Sequence, residues 1–126
     1  MEQRMGADML TLNFSRKVLG AEASLKLERH EVTQTIRAGT SDIVKGIMDS
    51  ELRAGDELCV ALDGENIGLA SLIACHWVPA AALTSEDARR GGFNTVDELK
   101  AALKRAGYRF KPLIDYVFYL VQFGWR

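Results

Sequence analysis

The sequence predicts an α+β fold, a small mixed β-barrel of about five strands with peripheral helices. Three observations predict it. Strand-like and helix-like stretches follow in the order β, α, β, α, β, β, α, α, β, without regular βαβ alternation. Several strand stretches are apolar on both faces, as a central strand of a sheet or barrel would be. At 126 residues the chain has the size of one domain, long enough to bury a single core. Residues 1–9 read as a flexible leader and 10–126 as the domain.

Leu10, Leu12 and Phe14 alternate with Thr11, Asn13 and Ser15, the pattern of a half-buried strand. Residues 16–30 place Val18, Leu19, Glu22, Ala23, Lys26 and Leu27 at helical spacing. A short amphipathic helix is the reading preferred over a strand starting at Leu25. A strand follows at Val32–Arg37 and stops at Gly39. Thr40, Ser41 and Asp42 offer N-caps for a helix with Ile43, Ile47 and Met48 as its apolar positions. Arg53-Ala54-Gly55-Asp56 is a turn before the strand Glu57–Leu62, and Asp63-Gly64 marks a hairpin.

Ile67–Trp77 is a long apolar run with Gly68 near its start, read as a central strand with a bend or bulge there. His76 and Trp77, at its end, suggest an acid/base and stacking pair, against the plainer reading of His76 as a hydrogen-bonded barrel-mouth residue. Thr84 can cap a short helix through Asp87–Arg90, which Gly91-Gly92 breaks. Thr95 with Glu98 is a capping box that starts the clearest helix, with Val96, Leu99, Ala102, Leu103 and Ala106 as its buried stripe and Gly107 as its C-cap. Tyr116–Phe123, dense in aromatic and branched residues, reads as a terminal strand that closes the sheet, and Trp125 as cover for a barrel edge.

Composition excludes several classes. A net charge of -1 rules out a generic polycation. The charge is uneven: residues 99–126 carry six bases against Asp115, while residues 55–98 carry two bases against eight acids. No apolar run reaches the ~18 residues of a membrane span, so no membrane is expected as a partner. Met1–Met9 has no apolar core, and a cytoplasmic location is expected. Cys59 and Cys75 stand in apolar runs and read as reduced, buried small side chains. They make no zinc spacing with His30 and His76, so neither metal nor cofactor is expected.

The stretch that carries candidate chemistry is Val32-Thr33-Gln34-Thr35-Ile36-Arg37. Strand alternation puts Thr33, Thr35 and Arg37 on one face and Val32, Gln34 and Ile36 on the other. Two hydroxyls and a guanidinium in a row suit an oxygen-rich ligand, a phosphate or a nucleobase edge. The structural alternative is a good strand former whose arginine is solvated, or pairs with a buried acid and holds the barrel together.

With these pieces in order, the chain resembles the ASCH family, within the wider group of PUA-like barrels. The resemblance rests on Leu10–Phe14, on Thr33–Arg37, on Leu52-Arg53-Ala54-Gly55-Asp56-Glu57-Leu58, on Leu83-Thr84 with Ala88, Gly92 and Phe93, on Thr95–Leu103 and on the aromatic C-terminal strand. It implies a cleft bordered by the threonine–arginine strand and by the segment before the capped helix. It also implies a partner that is RNA or a modified nucleoside or nucleotide.

Some members of that family hydrolyse an acylated nucleoside, and a few have been linked to cleavage of single-stranded RNA. Their lysine and glutamate positions correspond here to Val32 and Gly91, so only Thr35 remains as a possible catalytic residue. Hydrolysis is therefore kept as the alternative, with Glu31, Glu86 or Asp87 as the acids that a rearranged site would need. The primary reading is an RNA- or nucleotide-binding module. Thr33, Thr35 and Arg37 would form one wall, with Arg89 and Arg90 reaching in from the loop and Lys100 and Lys104 extending a basic track. Trp77 and Phe93 are the stacking candidates, with Tyr108 and Phe110 behind them.

Overall fold

The computed structural model describes residues 9–108 and 117–126. The expected leader up to Asp8, together with Arg109, Phe110, Lys111 and Tyr116, lies outside them. The described elements are β1 (Thr11–Phe14), α1 (Arg16–Leu19), α2 (Ala21–Glu28), β2 (Gln34–Ala38), α3 (Asp42–Met48), β3 (Glu57–Leu62), β4 (Glu65–Pro79), α4 (Ser85–Arg90), α5 (Val96–Arg105) and β5 (Val117–Trp125). A 3-10 turn, Ala80–Ala82, joins β4 to the segment before α4. The segment at 16–30 is helical, as expected.

The five strands form one mixed sheet in the order β1-β3-β4-β5-β2. β1 runs parallel to β3, and the other neighbours are antiparallel. The sheet curls into a half-barrel, so the α+β barrel expectation holds. Its curl follows from β4, which pairs with β3 through its first half and with β5 through its second. The register slips at Ile67, next to Gly68, and again at Ile73. Each extra residue bends the strand and adds twist. The β3–β4 hairpin turns on Asp63 and Gly64, both at positive φ (52° and 84°). This is the two-residue geometry that matches strand twist.

Alternation along β5 divides the interior into two clusters. Val121 and Phe123 join Leu12, Leu58, Val60, Leu62, Ala70 and Leu72 inside the curl, closed by Leu27, Val32 and the α3 residues Ile43 and Val44. Phe118 faces the other way, towards Leu83, Ala88, Phe93 and the α5 stripe Leu99, Ala102 and Leu103. Fully burying one such aliphatic or aromatic side chain is worth about 1.5–3 kcal/mol.

Three details depart from expectation. β4 is central but not buried on both faces, since Ile73 and Trp77 stand exposed on its outer side. Met48 is also exposed, and Val44 takes the buried position in α3. The complete capping box belongs to Thr84 and Asp87. At Thr95 only half of one forms: its hydroxyl accepts from Glu98 N–H (3.1 Å), while the Glu98 carboxylate accepts from Asn94 N–H (3.1 Å).

The strand order leaves β1 and β2 at the two ends of one curled sheet, facing each other across a seam. The carbonyls of Leu10 and Phe14 accept from Cys59 and Asp63, towards β3, so alternation turns the Asn13 carbonyl the other way. α1 caps the seam at one end. Arg105 of α5 ties α1 down by donating from Nε to the Val18 carbonyl (2.8 Å).

Candidate functional site

β2 is fixed at its start by main-chain bonds. Thr33 N–H donates to the Arg90 carbonyl (2.9 Å), and Phe123 N–H donates to the Thr33 carbonyl (3.0 Å). The antiparallel ladder then pairs Thr35 with Val121 and Arg37 with Tyr119. By the same alternation, the backbone N–H and C=O groups of Gln34 and Ile36 point away from β5, into the seam. Gln34 lies opposite Gln122 and Ile36 opposite Leu120, so their side chains share the face packed by α4 and α5. Thr35 and Arg37 project from the other face. Within the strand the two faces divide as the sequence predicts, but Val32 precedes it and packs in the other cluster, with Val121 and Phe123.

The seam holds a cavity of about 280 Å³. Because β2 is an edge strand, residues from both its faces line it, from Gln34 to Arg37. Asn13 and Phe14 stand across from them. Val18, Leu19, Phe93, Leu99, Leu103 and Tyr108 make the apolar walls, and Asp87 and Gly91 come from α4 and its end. Tyr108 meets Phe118 edge to face, with ring centroids 5.0 Å apart.

Arg37 is the cavity's cation. Its Nε donates to Thr35 Oγ1 (3.1 Å) and its Nη2 to the Asn13 carbonyl (2.8 Å). The guanidinium carbon lies 4.8 Å from the centroid of the Phe14 ring. The arginine thus clasps β1 to β2 across the seam. Burial lowers its pKa to about 10, with Tyr108 acting in the opposite sense, so it remains charged at neutral pH. Among the described residues no carboxylate pairs with it.

Beside it runs a buried polar chain. Gln122 Nε2 donates to Gln34 Oε1 (3.1 Å), and Gln34 Nε2 donates to Asp87 Oδ1 (3.0 Å). Asp87 Oδ2 accepts from both Thr84 N–H and Thr84 Oγ1 (3.0 Å each). Asp87 is therefore both the capping residue of α4 and the acid on the cavity wall.

Of the residues expected from sequence, the structure brings Thr35, Arg37 and Phe93 to the cavity. Thr33 is exposed and not on its wall; its contribution is the main-chain bond to Arg90. Arg89 and Arg90 point outward and pair with Glu86, three and four residues earlier on α4. Lys100 and Lys104 lie away from the cavity on α5, and Trp77 stands on the outer face of β4. Of the three acids, only Asp87 lines the cavity, one helical turn before Gly91. It holds Gln34, and no bond joins it to Thr35.

Gln34, Gln122 and Tyr108 complete the site but were not singled out as polar wall groups. Gln34 carried a signal, being a polar residue flanked by Val32 and Ile36 on a core-facing row. Asp87 carried another, since Thr84-x-x-Asp87 is itself a capping pattern. Among the described residues no group of three or more histidine, cysteine or acidic side chains could hold a metal ion, and no helix is long and apolar enough to cross a membrane.

Comparison with solved structures shows an ASCH-like fold. An ASCH domain from Lactobacillus crispatus JV V101 superposes with a TM-score of 0.59 at 15% identity, over 90% of this chain and 79% of that one. A protein of Enterococcus faecalis V583 from the DUF984 family superposes with a TM-score of 0.60 at 16% identity, over 93% of this chain and 80% of that one. Likeness at this identity is likeness of fold. No protein-family model and no curated protein matches the sequence.

Proposed function

With an ASCH-like fold as the premise, we propose that this domain binds a nucleotide, free or as one unit of single-stranded RNA, in the seam cavity. The observation that carries the reading is Arg37. A guanidinium stands in a largely apolar cavity with part of its donor set unused and no carboxylate partner among the described residues. Such a group suits a phosphate or a carbonyl-bearing ring edge. The apolar walls, with Phe93 and Tyr108, suit a flat ring.

The volume, near the lower end of the ~300–1,000 Å³ range of small-ligand sites, supports one nucleoside-sized unit rather than a run of bases. Arg89, Arg90, Lys100 and Lys104 then have at most a steering part, outside the cavity. Cys59 and Cys75 are free thiols, in keeping with a cytoplasmic place of action.

Hydrolysis is the weaker reading. Asp87 is on the wall, but both its oxygens already accept hydrogen bonds, and the Thr35 hydroxyl accepts from Arg37 with no base beside it. The test is calorimetric binding of the four nucleoside 5′-monophosphates, their nucleosides and a short single-stranded RNA, at two salt concentrations. Binding that weakens with salt and is lost in Arg37→Met supports the reading. A folded wild type that binds none of them refutes it.

A further inference from the structure

We propose that Gln34 is the specificity-determining residue of the cavity, reading a hydrogen-bond acceptor on the ligand's ring, and that Asp87 is the positioning residue that sets this polarity. The inference rests on the seam cavity being a ligand site, but not on the ligand being a nucleotide.

The chemistry of the buried chain fixes which way the Gln34 amide faces. An ionised carboxylate only accepts. Gln34 must therefore turn its NH₂ to Asp87 Oδ1 and its oxygen to Gln122 Nε2, as the bonds of 3.0 Å and 3.1 Å show. Turned over, it would set oxygen against oxygen in a site where Gln34 is only 1% exposed. An amide NH₂ carries two N–H groups, and Asp87 takes one. The other has no partner among the described residues, and Gln34 lines the cavity. A buried donor without a partner is costly, and a ring nitrogen or carbonyl in the cavity would satisfy it. Gln34 therefore favours a ring with an acceptor on that edge over a ring with a donor there.

The arrangement makes an inversion testable. In Asp87→Asn the oxygen must stay where Thr84 N–H donates, so the new NH₂ faces Gln34. Gln34 must then turn its oxygen to residue 87 and present a lone pair, not an N–H, to the cavity. The probes are pyridine (acceptor), pyrrole (donor) and benzene (neither), titrated against the whole protein at pH 7.5. Chemical shifts are followed for the Gln34 side-chain amide and for cavity methyl groups.

Wild type is expected to bind pyridine over pyrrole by about tenfold or more. Asp87→Asn should reverse the order. Gln34→Met should reduce the ratio to the part that Arg37 contributes, and it carries the test if Asp87→Asn fails to fold. An unchanged ratio in the folded variants overturns the proposal, as does a wild type that binds none of the three. If the rings are discriminated as expected while no nucleotide binds, the nucleotide reading falls and the role of Gln34 stands.

Discussion

Arg37 is both a clasp across the seam and a candidate ligand anchor, and the substitution Arg37→Met separates the two. Methionine keeps the unbranched stem and removes the charge. Burial lowers the guanidinium's pKa to about 10, so keeping it charged in the fold costs about 3 kcal/mol at neutral pH. Because the shift is downward for a base, this penalty is fully present at neutral pH and begins to be relieved only as pH rises above about 10. Against it stand the charge-assisted bonds to the Asn13 carbonyl and Thr35 Oγ1, together worth about 3–6 kcal/mol, and the contact with Phe14, about 1 kcal/mol.

The opposing contributions partly offset each other. Arg37→Met is therefore expected to change stability by no more than ~4 kcal/mol, a shift of less than ~15 °C in Tm for a domain of this size. Nucleotide affinity should fall at least ~tenfold in the same protein. Thermal unfolding by circular dichroism, beside calorimetric binding, reads both. A variant that unfolds outright, or melts more than ~15 °C lower, would refute the reasoning. Arg37 would then be a structural clasp whose bonds outweigh its burial.

Three further outcomes follow from packing. Ser24 Oγ is buried and has no hydrogen-bond partner among the described residues, so Ser24→Ala should leave stability unchanged or raise it by up to ~1 kcal/mol, read as a urea midpoint. Gly92 sits at φ +96°, and a Cβ there would lie 3.1 Å from Val32 Cγ2 and 3.4 Å from Ala23 Cβ. Gly92→Ala should therefore lose ~2–3 kcal/mol in chemical denaturation, where Gly107→Ala, strained but meeting nothing within 4 Å among the described residues, should lose only about 1. Trp125 donates from Nε1 to the Val32 carbonyl (2.7 Å) and stacks on His30 with centroids 3.9 Å apart, so Trp125→Phe should lose about 1–3 kcal/mol, measured by thermal melting.

What the sequence made legible was local. Asp63-Gly64 announced its hairpin because two left-handed residues in a row have few other uses. Thr95 announced α5 because a cap and an apolar stripe agreed. The Thr35–Arg37 row could be read because alternation on one strand needs no partner. The rest depended on which strand lies beside which. Gln34, Asp87 and Gln122 come from three elements, and only the β5–β2 pairing joins them into one chain of bonds.

The same topology decided the misplacements. Ile73 looked buried because its run is apolar throughout, and Trp77 looked like a stacking group of the cleft, but both stand exposed on β4. Arg89 and Arg90 read as free cations because the sequence alone does not show that α4 turns both onto Glu86. Thr33 shares its parity with Thr35, yet it precedes the strand and stands exposed.

The strand order also has a consequence for how the domain is made. β2 carries Arg37 and Gln34 within the first third of the chain, but its one neighbour in the sheet is β5, the last described element. During synthesis β1, β3 and β4 can pair with one another as they emerge, whereas β2 has nothing to pair with until residues 117–125 arrive. Closing that contact spans most of the chain and is entropically its most demanding step. The binding strand is therefore written early and assembled last, and the cavity comes into being only with the complete sheet.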